Sequence, residues 1–251
     1  VAFGQWLVSR CKDLGVEIIK QTSIESAEFS SHGTLKSVHC RIRNQHRVQI
    51  KCKNLVIAAG PWTPSVVKKL FPGSSINLKP TADASDWILL RNPYPMRLTS
   101  IAGIFFDGIM DGRLQIVGRN DSTIWVCDST DKSALLPAVV GAAKPNARVV
   151  EDMLVRAKSF VNGEVEVLNV GRAFRPVNES GLPVMARIPD AMLSKNAIYQ
   201  DPEIQGADGV FICWGHGSKG ITLGMGSGKL MSQIMKGGGT DIDVSKFGVL
   251  Q

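Results

Sequence analysis

Residues 209–231 read Gly-Val-Phe-Ile-Cys-Trp-Gly-His-Gly-Ser-Lys-Gly-Ile-Thr-Leu-Gly-Met-Gly-Ser-Gly-Lys-Leu-Met, an apolar run that breaks into glycines and resumes at helical spacing. The run from Val210 to Trp214 predicts a strand, and Gly215, Gly217 and Gly220 predict a loop. Leu230, Met231, Ile234 and Met235 mark a helix, which Gly237, Gly238 and Gly239 stop. A strand that turns through glycines into a helix offers bare backbone N–H groups and a positive helix end to an anion. This is the chain's best candidate for a cofactor contact. The plainer alternative is a set of glycines that only allows tight strand–helix packing.

Two phosphate-binding motifs resemble this stretch and fail on physical grounds. The spacing Gly215-x-Gly217-x-x-Gly220 matches the dinucleotide fingerprint, and Asp241 and Asp243 lie at a suitable distance beyond it. That fingerprint needs a strand–helix–strand unit, and only residues 244–251 follow Asp243. A phosphate loop is excluded too, since Leu230 stands where Ser or Thr must hold magnesium and Leu223 where the first glycine is needed.

The chain's 251 residues have room for one large domain or two modest ones, and 44% hydrophobic content is ordinary for a globular protein. No apolar run reaches the roughly 18 residues of a membrane span. The opening Val-Ala-Phe-Gly-Gln-Trp has neither an initiator Met nor a signal-peptide layout and reads as a fragment or a processed product. Cys11, Cys40, Cys52, Cys127 and Cys213 are widely spaced, odd in number and without a CxxC pair. That pattern argues against disulfides and zinc and leads to an intracellular, cytoplasmic expectation. His32, His39, His46 and His216 form no ligand spacing, so no metal is expected.

The net charge of +7 invites a nucleic-acid reading. Much of it lies between Lys36 and Lys53, a stretch without acidic residues. There Val38, Cys40 and Ile42 alternate with His39, Arg41 and Arg43. After Asn44, Gln45 and His46, the residues Val48, Ile50 and Cys52 alternate with Arg47, Gln49 and Lys51. Period two on both sides of a turn predicts a hairpin with one buried face and one solvated cationic face. No aromatic residue interleaves the charges to stack on bases, so the solvated hairpin is the better reading.

Residues 3–14 predict a helix stopped by Gly15, followed by short strands at 16–19 and 24–29. Leu55 to Ala59 is a continuous apolar run, as expected of a parallel strand buried on both faces. Thr63 and Pro64 predict a helix N-terminus, with Thr63 as the cap and the helix running to about Phe71. Beyond residue 76 the chain changes character. Short strands are expected at 87–90, 103–106 and 114–117, then an amphipathic helix over 151–161 and a strand at 165–170. Strands followed by one helix suggest an antiparallel α+β unit inserted into the first.

Three segments together resemble the flavin-dependent oxidoreductases of the D-amino acid oxidase family, which includes glycine and sarcosine oxidases. They are LVIAAGPWT (55–63), GRAFRPVNESGLPV (171–184) and GHGSKGITLGMGSGK (215–229), in the family's order and spacing. The resemblance implies an α/β, Rossmann-like FAD-binding domain, incomplete at the N-terminus, with an inserted antiparallel α+β substrate domain. The implied parts are 1–75 and 181–251 for FAD and 76–180 for substrate. The family's N-terminal GxGxxG unit is absent from this sequence, so the likeness covers roughly the last two-thirds of a member. This piece alone is then expected to bind FAD poorly and to be inactive.

Carried over, Gly217, Ser218, Lys219, Gly220, Ile221 and Thr222 match the loop whose main chain meets the flavin's pyrimidine end. Ile24 matches the position whose backbone meets adenine, and Ala59 and Gly60 match the small residues that let the cofactor lie close. Packing alone explains Ala59 and Gly60 equally well. Arg175 matches the arginine that grips a substrate carboxylate, with Arg172 as the fallback and a structural salt bridge to Glu179 or a neighbour as the alternative. His216 reads as structural. No cysteine lies between Cys127 and Cys213, which implies non-covalent FAD. The implied activity is oxidation of a C–N bond in an amino acid or secondary amine by hydride transfer to flavin. The partners are then small molecules, without nucleic acid or a membrane span. The main rival is a non-catalytic, flavoprotein-like binding or trafficking module.

Overall fold

The structure of the protein, a computed structural model, describes residues 2–31, 33–43, 46–81, 83–94, 102–106, 114–128, 130–193 and 208–249. Helix α1 (Ala2–Asp13) ends before Gly15, whose φ of +79° suits a residue without a Cβ. It buries none of its residues, and Phe3 stacks on Trp6 while both stay exposed. The strand expected at 16–19 is not formed. A strand needs a ladder partner, and none pairs with it among the described residues.

Strands β1 (Thr22–Phe29), β2 (Leu35–Ile42) and β3 (His46–Lys51) form an antiparallel sheet in that order. Val38 faces Ile50 and Cys40 faces Val48, so the alternating apolar residues of the expected hairpin share one face. Its turn at 44–45 lies outside the described residues. Arg41 and Arg47 both reach Glu25 of β1, which neutralises part of the basic run from outside it.

Strand β4 (Asn54–Ile57) leads through a 3₁₀ turn over Gly60–Trp62 into α2 (Thr63–Leu70). Trp62, rather than Thr63, occupies the N-cap, because the Trp62 N–H closes a turn on the Ala59 carbonyl and winds the chain earlier. Thr63 is fully buried, and its hydroxyl has no partner among the described residues.

After β5 (Pro80–Thr81), the strands β6 (Ala84–Arg91), β7 (Ala102–Phe106), β8 (Leu114–Gly118) and β9 (Thr123–Cys127) precede α3 (Ala147–Lys158) and β10 (Val167–Phe174). The five long strands form one antiparallel sheet in the order β10-β6-β9-β8-β7. Strand β9 was not foreseen. Helix α3 starts earlier than its apolar pattern suggests, because Asn146 caps it by accepting the Arg148 N–H at 3.1 Å. Ile88, Leu90 and Val126, with none of their surface exposed, pack against Met153 and Ala157 of α3.

Strands β11 (Val177–Asn178) and β12 (Val184–Arg187), helix α4 (Asp190–Leu193), β13 (Gly209–Trp214) and α5 (Gly220–Met235) complete the chain. The central sheet runs β12-β13-β4, with β13 antiparallel to β12 and parallel to β4. Alternate residues of β13 serve two cores. Val210, Ile212 and Trp214 pack toward Val67 and Leu70 of α2, and Phe211 packs toward Leu230 and Met231 of α5. Strand β13 is thus covered on both faces. The expectation that β4 is too does not hold, since it pairs on one edge among the described residues and leaves Val56 38% exposed.

Candidate functional site

Parallel pairing of β4 and β13 sets Ile57 beside Ile212, so the turns after both strands leave the sheet at the same end. That is the carboxyl end, where open α/β sheets bind their ligands. Ala59 and Gly60 follow β4, and Gly60 has φ +53° with open space where a Cβ would stand. Gly215 (φ +90°) and Gly217 (φ +56°) follow β13. Gly217, Ser218 and Lys219 form a 3₁₀ turn that runs directly into α5.

The start of α5 suits a negative group. Lys219 is the N-cap residue, no side chain caps the first turn, and that turn holds no acidic residue. Gly220, Ile221 and Thr222 therefore stand at the positive end of a 16-residue helix. Ile221 is 80% exposed, and a Cβ at Gly224 or Gly228 would meet nothing within 4 Å. A flat ring can reach this backbone, so these residues fit the flavin end of FAD. Lys219 is exposed at the same turn.

The second predicted segment is stitched to this loop. The Gly217 N–H donates to the Pro176 carbonyl at 2.8 Å, and Val177 bridges His216. Arg175 is thereby held one residue from the loop's anchor. Its Nη1 donates to Asp83 Oδ1 at 2.8 Å and to Ser85 Oγ at 2.7 Å. The Cys127 thiol also hydrogen-bonds this guanidinium, and the Arg175 side chain is 25% exposed. The partner is Asp83 and not Glu179, which pairs with Lys79 at 3.1 Å. No local pattern could have revealed Asp83 or Ser85, because antiparallel pairing of β6 with β10 brings them across some ninety positions.

Arg172 points the other way. Its Nε and Nη2 grip the Asp86 carboxylate at 3.0 Å each, and Nη2 also meets Asp131 at 3.1 Å. Asp86 is 2% exposed and accepts the Asn146 N–H as well, so this pair locks the sheet to the start of α3. Hydrogen bonding to Asp86 holds the Arg172 guanidinium still more firmly protonated.

His216 is a packing residue, as expected: its Nε2 lies 2.9 Å from Ser227 Oγ, and burial pushes its pKa down. Cys127 lies near Arg175; burial raises its thiol pKa, and the guanidinium pulls the other way. Ile24 is not at the loop. Its carbonyl accepts Lys69 Nζ at 2.7 Å, in the last turn of α2 and roughly 9 Å along the helix from Thr63.

Two cavities lie on either side of this geometry. One of 840 Å³ borders Lys53 and Asp208, at the opposite end of the sheet from the glycine turns. The other, 480 Å³ and apolar, runs along α5 past Thr222, Leu223 and Ser227. No described helix is long and apolar enough to cross a membrane.

The family model for FAD dependent oxidoreductase (DAO) matches residues 1–234. Among solved structures, glycine oxidase from Geobacillus kaustophilus is 19% identical with a TM-score of 0.65, over 92% of this chain and 52% of that one. L-amino acid deaminase from Proteus vulgaris is 13% identical with a TM-score of 0.70, over 97% of this chain and 60% of that one. L-proline dehydrogenase from P. horikoshii is 12% identical with a TM-score of 0.69, over 96% and 56% respectively. No curated protein matches. At such identities the likeness shows the fold, and the chain spans 52–60% of these structures rather than the two-thirds expected.

Proposed function

Because the chain belongs to the FAD-dependent oxidoreductases of the DAO family, we propose that the complete protein oxidises a C–N bond of an amino acid or secondary amine. FAD, when bound, supplies the acceptor for the hydride leaving the carbon beside the nitrogen. The imine left behind is hydrolysed by water. The chain's own part is orientation and electrostatics. In this reading Gly217, Ser218, Lys219, Gly220, Ile221 and Thr222 hold the flavin's pyrimidine end non-covalently. The uncapped start of α5 stabilises negative charge there by about 0.3–1 kcal/mol, more where water is excluded. Ala59 and Gly60, at the same sheet end, leave space for the cofactor. Ile24 is the proposed backbone contact for adenine; its carbonyl also accepts Lys69 Nζ.

Arg175 takes the substrate carboxylate. Asp83 and Ser85 hold Nη1, which steadies the guanidinium for a contact with a carboxylate. The observation that carries this reading is the 2.8 Å bond from Gly217 N–H to the Pro176 carbonyl, which ties the arginine to the cofactor loop. The test is anaerobic mixing of the flavin-loaded complete protein with a panel of amino acids and secondary amines. Bleaching of the flavin absorbance by an amino acid, lost in Arg175→Met while flavin is retained, supports it. Bleaching only by amines without a carboxylate moves the assignment to amine oxidation, and no bleaching favours the non-catalytic binding module.

A further inference from the structure

We propose that the face of the five-stranded sheet turned away from α3, centred on Trp87, is a side-chain subsite that selects amino acids with bulky apolar or aromatic side chains. The proposal rests on the reading that Arg175 takes the substrate carboxylate. Alternation along β6 puts Asp86, Ile88 and Leu90 on the face covered by α3, where all three are buried. Ser85, Trp87 and Leu89 therefore lie on the other face, where Ser85 and Cys127 are buried at 2% exposure and Trp87 and Leu89 are half-buried. Trp87 stands opposite Cys127, Leu89 opposite Trp125, and Trp125 opposite Val117. Trp87, Leu89, Trp125 and Val117 are half-buried, and none belongs to the cluster under α3. The result is an aromatic wall on which no helix packs among the described residues.

Two contacts give this wall a direction. Arg175 bonds Ser85 Oγ at 2.7 Å, so its guanidinium sits at one end of the same face. Trp87 is two residues further along β6, roughly 7 Å at the rise of a strand. That separation suits a carboxylate at one end and an aromatic ring or branched chain at the other. A substrate as small as glycine would reach the arginine and miss the indole. On the neighbouring strand, a Cβ at Gly171 would stand 2.4 Å from Trp87 Cζ2 and 2.6 Å from Cε2. The indole thus lies over the bare backbone of β10, and any side chain at position 171 would displace it.

The test uses the complete, flavin-loaded protein and two carboxylates that cannot react, acetate and 3-phenylpropionate, titrated by tryptophan fluorescence and calorimetry. The wild type should bind 3-phenylpropionate at least about tenfold tighter than acetate, as apolar subsites discriminate. Trp87→Ala and Gly171→Ala should each bring that ratio close to one, and Trp87→Phe should reduce it partly. A ratio near one in the wild type, or one that survives in both Gly171→Ala and Trp87→Phe, overturns the subsite, including the case in which another protein segment covers the wall. Should Trp87→Ala not fold, those two variants decide alone. Failure of the carboxylate reading looks different: both probes would then bind Arg175→Met as well as they bind the wild type.

Discussion

Two arginines three positions apart, Arg172 and Arg175, reach different partners, Asp86 for one and Asp83 with Ser85 for the other, because a strand alternates its faces. Arg172→Met would leave Asp86, 2% exposed, as an uncompensated buried charge and should cost about 3–5 kcal/mol. Arg175→Met removes a partner from Asp83, which is 21% exposed and can turn to water, so its stability loss should be much smaller. Urea denaturation of both variants checks the order; equal losses would make Arg175 a structural residue too. His216 gives a pH signature. Burial holds its folded pKa below the ordinary 6.5, so as pH falls through 6.5 the unfolded chain takes up the proton first. Stability contributed by the neutral ring is therefore full above 6.5 and is lost as pH drops toward the folded value. His216→Gln, which keeps a partner for Ser227, should flatten the dependence of the urea midpoint on pH just below 6.5.

In the proposed reading, the turn between β13 and α5 is the element on which cofactor binding depends. Gly217 sits at φ +56°, and a Cβ there would meet its nearest neighbour, Val177 Cγ2, at a comfortable 3.8 Å. The obstacle to substitution is therefore the backbone conformation rather than space. Gly217→Val should force the turn toward negative φ, break the Pro176 bond and release flavin from the complete protein. Absorbance of the purified variant reads this directly, and full flavin content would show that the ring is held elsewhere. Gly215 is constrained on both counts, with φ +90° and Asn178 Cβ 3.2 Å from an added Cβ.

Across the whole molecule, the buried faces and the open ones are unevenly placed. Strand β13 is covered by α2 and α5, whereas α1 buries nothing and Val56 of β4 is 38% exposed. The glycine turn at 215–220 is the proposed contact for the flavin end, and no comparable cradle for a pyrophosphate stands among the described residues. We propose that the 251-residue chain by itself binds FAD weakly and is inactive. Gel filtration of the chain mixed with FAD tests this, and stoichiometric co-elution would contradict it. Residues 1–75 and 181–251 as one cofactor unit, with 76–180 on the substrate side, remains our proposal for the division of the chain. Its support is the sheet that joins 54–57 to 184–187 and 209–214.

Features written in consecutive residues were legible in the sequence. The β13–glycine–α5 stretch, the alternating hairpin after Lys36 and the apolar face of α3 each announce themselves by period and by breaker residues. Two long-range patterns were not legible. The sequence offers Arg175 with Arg172 as the fallback, and only the β6–β10 register shows one as a buried clamp on Asp86 and the other bonded to Ser85 on the opposite face. The same register lays Trp87 across Gly171, a contact invisible in either segment alone. Local backbone preference is a property of neighbours in the chain, whereas charge pairing and side-chain shape are settled by residues some ninety positions apart, and only the folded sheet brings those together.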